Sequence, residues 1–133
     1  MMPERFGRYE VTKVLGAGGM ADVYLAWDPK LNRQVAVKAP KIENQSDDIL
    51  PRFRIEAEAV AGLQGPNASA IVPIYDSGEE DGYPYLVMAY MPGGSLADRL
   101  GEGLYSVAEA VPVIQRVAAA LDCAHAQHII HRD

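Results

Sequence analysis

The segment that most constrains the fold is a glycine-rich stretch, LGAGGMADVYLAW, at residues 15–27. Apolar side chains alternate with other side chains after the glycines, which is typical of a strand, and a strand pattern also precedes them. Because glycine has no side chain, the backbone of such a loop can lie close to a polyphosphate. In a dinucleotide-binding turn, by contrast, the glycines lead into a helix. The stretch therefore predicts a strand–loop–strand unit, either a flexible lid over phosphates or a plain hairpin turn.

The following strand, QVAVKAP at residues 34–40, carries one lysine among apolar residues. Since side chains alternate along a strand, Lys38 shares its face with Ala36 and not with the valines beside it. A lysine on a half-buried face needs an anionic partner, because an unpaired buried charge is costly. A phosphate would serve, and so would a carboxylate of the next helix, either Glu56 or, less favourably, Glu58. The alternative is an edge lysine whose ammonium group reaches solvent.

The apolar periodicity changes along the chain from strand-like to helical, back to strand-like, and finally to helical. A helix is predicted from about Ile49 to Leu63, and strands at 71–78 and 83–90 joined by a tight turn at Asp81-Gly82. The sequence thus predicts an α+β fold with a five-stranded antiparallel sheet and one helix, a hinge-like link, and then helices. The predicted domain ranges are 7–90 for the sheet unit, 91–94 for the link and 95–133 for the helical part.

Helix starts in the last part are marked by capping residues. Ser106 and Glu109 form a capping box, which predicts a long helix ending near Ala126. Ser95 with its partner three residues later resembles the same arrangement, although an aspartate there is less favourable than glutamate. Pro112 lies inside the long helix and removes one backbone donor, so a kink or a late helix start is expected.

Composition excludes several classes of protein. A chain of 133 residues that is 49% hydrophobic can bury a core, and its net charge of −6 argues against a general nucleic-acid or membrane-surface binder. Its single cysteine, Cys123, allows no intrachain disulfide, and no stretch reaches the roughly 18 apolar residues of a membrane span. The three histidines lack the paired spacing of a metal site. Together with an N-terminus that lacks a signal peptide, these features predict a cytoplasmic chain.

The chain resembles the protein kinase family, specifically the eukaryotic-like Ser/Thr kinases of bacteria. Several motifs occur in the order in which that family carries them, which is more specific than any one of them. They are Gly16-x-Gly18-x-x-Ala21-x-Val23, Val35-Ala36-Val37-Lys38, RFRIEAEAV with Glu56, YLVMAYMPGGSL, and His131-Arg132-Asp133 at the end of the chain. The resemblance implies a kinase small lobe, a hinge and the first helices of the large lobe.

The resemblance also implies roles for individual residues. Lys38 would hold the α- and β-phosphates of ATP and pair with Glu56, and Asp133 would orient the hydroxyl of a protein substrate. These three form the implied catalytic set, and Mg²⁺ accompanies ATP in the family. The residues implied to contact the nucleotide are Leu15, Gly16, Gly18, Val23, Ala36, Lys38, Met88, Ala89, Met91 and Ser95.

Four positions depart from the family pattern, and one of them is Gly65, where the family often has histidine. Ala21 stands in place of the third glycine of the lid, and Ala89 in place of the usual hinge acid. His128 replaces the glycine that commonly follows the long helix, where glycine makes an easier left-handed cap.

In the family the metal-binding Asn and the Asp-Phe-Gly segment follow the position of Asp133. The chain is therefore expected to be truncated, and to be inactive by itself. Two hypotheses stay open: the N-terminal part of an active Ser/Thr protein kinase, or a non-catalytic nucleotide-binding or interaction fragment. The sequence does not define the protein substrate or an oligomeric state.

Overall fold

The computed structural model describes residues 2–41, 49–63 and 70–130. Its internal contacts divide the chain into two compact units. The first unit comprises Met1–Ala61 with Pro73–Tyr90, and the second comprises Gly62–Val72 with Met91–Asp133. The first unit contains the sheet and one helix, whereas the second contains two helices.

The sheet of the first unit is antiparallel throughout and has the strand order β1-β2-β3-β4-β6-β5. The predicted antiparallel sheet is confirmed, with six strands instead of five. The additional strand is β1, only two residues long, which is too short for an alternating pattern to reveal. The strands are β1 (Arg5–Phe6), β2 (Tyr9–Ala17), β3 (Ala21–Asp28), β4 (Arg33–Pro40), β5 (Ile74–Glu80) and β6 (Tyr83–Ala89).

One face of the sheet carries an aromatic core. The ring of Phe6 lies 5.5 Å from the rings of both Tyr24 and Tyr85, and Tyr9 lies 6.4 Å from Tyr85. Such tilted and edge-on pairs stabilise a core beyond the area that they bury. This packing explains why β1 forms, because pairing with β2 brings Phe6 over the aromatic rings. The remaining members of the cluster are Ala26, Val35, Val37, Ala39 and Val87.

A charged group is buried at the turn between β3 and β4. Asp28 is fully buried and accepts hydrogen bonds from the backbone N–H groups of Lys30 and Leu31 at 3.0 and 3.3 Å. Its carboxylate also accepts two hydrogen bonds from the Arg8 guanidinium, at 3.0 and 3.3 Å, and Arg33 Nε lies 3.9 Å away. The hydrogen bond from Arg8 lowers the pKa of Asp28, although burial acts in the opposite direction. The stretch DPKLN at residues 28–32 is typical of a turn, but it does not indicate this buried anion.

Strand β5 begins later than predicted. The sequence predicted a strand from residue 71, whereas the structure starts it at Ile74, directly after Pro73. Proline has no N–H to donate to a sheet, so regular pairing ends there, although the Pro73 carbonyl still accepts a hydrogen bond from the Ala89 N–H. The turn between β5 and β6 is as predicted: Asp81 and Gly82 have φ of 51° and 83°, and positive φ at both central residues defines a type I′ hairpin turn.

Helix α1 (Ile49–Ala61) packs against strands β4, β5 and β6 of the first unit. Ala57 is buried on its inner side, with Phe53 and Val60 half-buried at spacings of four and three residues. The helix that the apolar periodicity predicted is therefore confirmed. It ends at Ala61, two residues before the predicted end at Leu63.

The second unit contains α2 (Leu96–Gly101) and α3 (Val107–Ala126). Both begin with a capping box, at Ser95 and Ser106, as predicted. The box at Ser95 is complete although its partner is an aspartate. Helix α3 begins at Val107, directly after its N-cap Ser106, although it contains Pro112. Of the two alternatives that this proline predicted, the late helix start is therefore excluded, and the kink stays a prediction. None of the helices within the described residues is long and apolar enough to cross a membrane.

Helix α3 ends in a left-handed cap at His128, which has a φ of 63°. The N–H of Ile129 donates to the Ala124 carbonyl at 2.9 Å, and the N–H of His128 donates to the His125 carbonyl at 3.0 Å. These two bonds define a Schellman motif. Histidine therefore adopts at this position a backbone conformation that favours glycine.

Candidate functional site

The face of the sheet opposite the aromatic core carries many of the predicted site residues. In the strand register Gly16 pairs with Val23, and Val23 pairs with Lys38 on β4. Ala36 pairs with Met88 in a neighbouring row. Directly paired residues of an antiparallel sheet project from the same face. The structure therefore brings the glycine-rich hairpin, the lysine and the apolar side chains between them onto one surface of the first unit.

Lys38 lies in the interior of the sheet, since β4 pairs with β3 on one side and β6 on the other. The edge position of the alternative interpretation is therefore wrong, whereas a lysine that reaches solvent is what it predicted, since the Lys38 side chain is exposed. The face is half-buried as expected, because Ala36 and Leu86, which share it with Lys38, are 6% and 7% exposed. The aromatic core cluster lies on the opposite face.

Glu56 and Glu58 are both exposed on α1, and within the described residues no ion pair joins either of them to Lys38. Glu58 lines a cavity of about 230 Å³ between α1 and strands β5 and β6, with Ala57 and Tyr85 among the other lining residues. Successive helical residues differ by 100°, so Glu56 lies on the opposite flank of the buried Ala57. The flank of α1 that carries Glu56 is therefore turned away from that cavity.

Two glycines of the hairpin between β2 and β3 have different steric surroundings. A Cβ on Gly18 would lie 2.8 Å from the carbonyl oxygen of Ala21, to which the Gly18 N–H donates a hydrogen bond of 2.9 Å. Gly18 is therefore required by the hairpin itself. A Cβ on Gly16 would meet nothing within 4 Å. No close contact with the described residues accounts for glycine there, and those residues leave the backbone at Gly16 open to a ligand.

The remaining nucleotide-contact candidates divide between the two units. Leu15 is exposed on β2, and Ala89 ends β6, where its N–H donates to the Pro73 carbonyl at 2.9 Å. Met91 and Ser95 belong to the second unit. The hydroxyl of Ser95 accepts a hydrogen bond from the Asp98 N–H at 3.2 Å. The return bond, from the Ser95 N–H to the Asp98 carboxylate, lowers the pKa of Asp98.

Asp133, together with the rest of the His131-Arg132-Asp133 motif, lies outside the described residues. Among the residues that are described, no group of three or more acidic, histidine or cysteine side chains could hold a metal ion. The sequence analysis missed one ion pair next to the site, between Asp22 and Lys41. The two lie on different strands, and only the strand register shows that they are neighbours.

Comparison with known proteins identifies the family to which the chain belongs. Residues 9–133 match the protein kinase domain family, so the chain belongs to that family. Among curated relatives, it is 41% identical over 129 residues to the serine/threonine-protein kinase PrkC of Bacillus subtilis (strain 168). It is 44% identical over 138 residues to the probable serine/threonine-protein kinase PknB of Bifidobacterium longum (strain NCC 2705). These similarities support membership of the eukaryotic-like Ser/Thr kinases of bacteria.

The aligned regions cover 96% of this chain in both cases but only 19% and 20% of the two relatives, so the chain spans about a fifth of their length. The chain also covers only part of the solved structures that it matches. Crystal structures of the Mycobacterium tuberculosis PknI kinase domain match all of this chain at 30% identity, with TM-scores of 0.78 and 0.80. The match covers 56% and 54% of those chains.

Proposed function

We propose that this chain is the N-terminal part of an ATP-dependent Ser/Thr protein kinase, which transfers the γ-phosphate of ATP to hydroxyl groups of protein substrates. The observation that carries this proposal is the alignment of Gly16, Val23 and Lys38 across three neighbouring strands on one face. An exposed ammonium group on the same face as an open glycine backbone suits a polyphosphate, because it supplies a positive charge without steric obstruction.

In this proposal each residue of the face has a separate task. Lys38 binds the α- and β-phosphates, and the hairpin with Gly16 and Gly18 covers them. Val23 and Ala36 pack against the adenine ring, whose edge bonds to the backbone of the link. The remaining candidates complete the pocket: Leu15 at the lid, Met88 at the back, Ala89 and Met91 at the adenine edge, and Ser95 near the ribose.

The catalytic tasks are assigned to three residues. Lys38 positions the phosphates, and Glu56 orients Lys38 through an ion pair that α1 makes when the nucleotide is bound. Asp133 accepts or orients the proton of the substrate hydroxyl. The family uses Mg²⁺ with ATP, but the described residues do not supply a set of ligands for it. No step is therefore assigned to the metal. An ATP-dependent reaction of this kind would take place in the cytoplasm.

Nucleotide binding can be tested by titrating the 133-residue chain with ATP and following backbone amide signals by NMR. We expect weak binding that shifts the signals of Gly16, Val23 and Lys38. A hydrogen bond to a charged group contributes about 1.5–3 kcal/mol, so Lys38→Met should weaken binding by about tenfold or more. Lys30→Met is the matched control, because Lys30 is exposed at the opposite end of the same strand pair. Equal affinity of the two variants would contradict the role of Lys38.

Catalysis needs a second experiment, in which residues 1–133 are joined to the remaining kinase-domain segment of a relative. We expect this chimera to phosphorylate a generic protein substrate with Mg²⁺ and ATP, Lys38→Met to abolish most of that activity, and residues 1–133 alone to transfer no phosphate. A chimera that binds ATP but transfers none would instead support a non-catalytic nucleotide-binding fragment.

A further inference from the structure

The base of the glycine-rich hairpin is held by two backbone hydrogen bonds. The N–H of Gly18 donates to the Ala21 carbonyl across the hairpin. The N–H of Lys41 donates to the Met20 carbonyl at 3.0 Å. Because the last paired residues of β3 and β4 are Ala21 and Pro40, this second bond extends the ladder by one step into the hairpin. The position of the hairpin therefore depends on how well the end of β4 is held.

An ion pair reinforces that end. Nζ of Lys41 lies 3.7 Å from Oδ1 of Asp22. Asp22 pairs with Ala39, so Lys41 is its diagonal neighbour two residues further along. Asp22 and Lys41 therefore lie on the same face as Ala39, which belongs to the aromatic core cluster.

The surroundings of Asp22 explain why its carboxylate needs the positive charge of Lys41. Oδ1 of Asp22 is buried and accepts no hydrogen bond from the described residues. The two side chains are 23% and 30% exposed, so the pair is partly shielded from solvent. The same carboxylate contributes to raising the pKa of Tyr24, after burial of the phenol, which is the larger cause. Lys41 is the cation that balances this buried oxygen.

We propose that Asp22 and Lys41 are positioning residues for the nucleotide: their ion pair holds the glycine-rich hairpin on β4 and thereby sets its distance from Lys38. The inference rests on the proposed nucleotide-binding function. Neither residue touches the ligand, because both project from the opposite face of the sheet. Asp22 acts through its chain neighbour Val23, which pairs directly with Lys38.

The expected size of the effect follows from the exposure of the pair. Partly exposed ion pairs contribute about 0.2–1 kcal/mol, which corresponds to a change of about 1.5- to 5-fold in an equilibrium constant. Salt should reduce the effect, because it screens charges that solvent can reach.

The test uses the 133-residue chain with Asp22→Asn, Lys41→Gln, and the reversed pair Asp22→Lys with Lys41→Asp. Lys30→Gln, in the turn at the other end of β3 and β4, is the control. Amide hydrogen exchange is measured without nucleotide at Gly18 and Lys41, whose N–H groups make the two bonds described above. Exchange at Val37 and Val87, in the buried core, shows whether each variant is folded. ATP affinity is then measured at low and high salt.

We expect both single variants to exchange about 1.5- to 5-fold faster at Gly18 and Lys41, and to bind ATP more weakly by a similar factor. Exchange at Val37 and Val87 should be unchanged. The reversed pair should recover at least half of the loss, and high salt should bring the wild-type chain towards the variants. If amide exchange at Gly18 and Lys41 is unchanged in the two single variants, or if Lys30→Gln changes it equally, the proposed positioning role is wrong.

The two proposals fail in different ways. A wild-type chain that binds no ATP would contradict the nucleotide-binding function itself. If the variants exchange faster at the Gly18 and Lys41 amides but bind ATP with unchanged affinity, the positioning role is wrong and the nucleotide-binding function still stands.

Discussion

At the residue scale, the buried carboxylate of Asp28 shows how one turn residue can organise a sheet end. Its oxygens receive hydrogen bonds from the backbone of its own turn and from Arg8 at the start of β2. A buried charge that loses its partners is strongly destabilising, because it keeps its desolvation cost. Asp28 and Arg8 therefore connect the β3–β4 turn to the neighbouring strand.

Replacing Asp28 with asparagine should lower the free energy of unfolding by about 2 kcal/mol at neutral pH, because hydrogen bonds to a charged group are lost. The folded-state pKa of Asp28 is lowered, so its stabilising contribution is present above the unfolded pKa and is lost as the pH falls through the folded one. The difference between wild type and Asp28→Asn should therefore shrink below about pH 4.

Urea denaturation at several pH values measures this difference. Asp122→Asn, at an exposed position on α3, serves as the control and should have little effect. A difference that stays constant from neutral pH to pH 3 would show that the charge of Asp28 is not what stabilises the turn.

At the element scale, helix α3 ends on a residue that does not favour the conformation it adopts. A left-handed conformation costs a residue with a Cβ roughly 1 kcal/mol, and glycine avoids that cost. We expect His128→Gly to slow amide exchange at Ile129, which closes the Schellman motif, by about fivefold for 1 kcal/mol. His128→Ala keeps the Cβ and should give no such gain. Faster exchange in the glycine variant would indicate that the histidine side chain itself stabilises the cap.

Helix α1 presents two glutamates on opposite flanks of its buried side. Glu58 lines the cavity against β5 and β6, whereas Glu56 lies on the other flank. In the kinase chimera, Glu56→Gln should reduce phosphate transfer at least tenfold, since it would remove the partner that we propose for Lys38. Glu58→Gln should leave the rate of phosphate transfer nearly unchanged. Steady-state kinetics with both variants distinguish the two residues, and the reverse pattern would show that α1 binds Lys38 through its other flank.

Much of the element structure could be predicted from particular residues. The alternation around Lys38 predicted its face, the pair Asp81-Gly82 predicted the hairpin, and Ser106 predicted the start of α3. Strand β1 could not be predicted, because two residues carry no periodicity and its stability comes from the contact of Phe6 with distant aromatic rings. Elements held by local signals are visible in sequence, whereas those held by tertiary contacts are not.

At the scale of the whole molecule, the second unit exposes an apolar stripe along α3. Val107 and Ile114 are 81% and 65% exposed, and Val111 and Val117 are 44% and 52% exposed. An apolar surface of this kind favours self-association. We expect the 133-residue chain to form dimers or larger species at micromolar concentration. The variant with Val107→Glu and Ile114→Glu should be more monomeric, as measured by sedimentation velocity. A monomeric wild-type chain would contradict this prediction.

The pairing of Lys38 with Glu56 marks the limit of sequence reasoning on the site. Only the order of the motifs along the chain associates these two residues. Their separation is a tertiary property, because α1 is joined to β4 through a connection whose geometry no local pattern determines. The structure leaves both side chains exposed and apart, so their pairing stays a prediction that the Glu56→Gln experiment tests.

The strand order also has a consequence for how the chain folds. Strands β2, β3 and β4 form a meander whose contacts are close in sequence, and β5 and β6 form a second local hairpin. Pairing Val35 with Ala89 joins the two, and it closes a loop that contains all of helix α1. Since loop closure costs entropy before its contacts form, we expect the two local pieces to form before they pair with each other. The strand that carries Lys38 makes this pairing, so we expect the face with Gly16, Val23 and Lys38 to be completed late in folding.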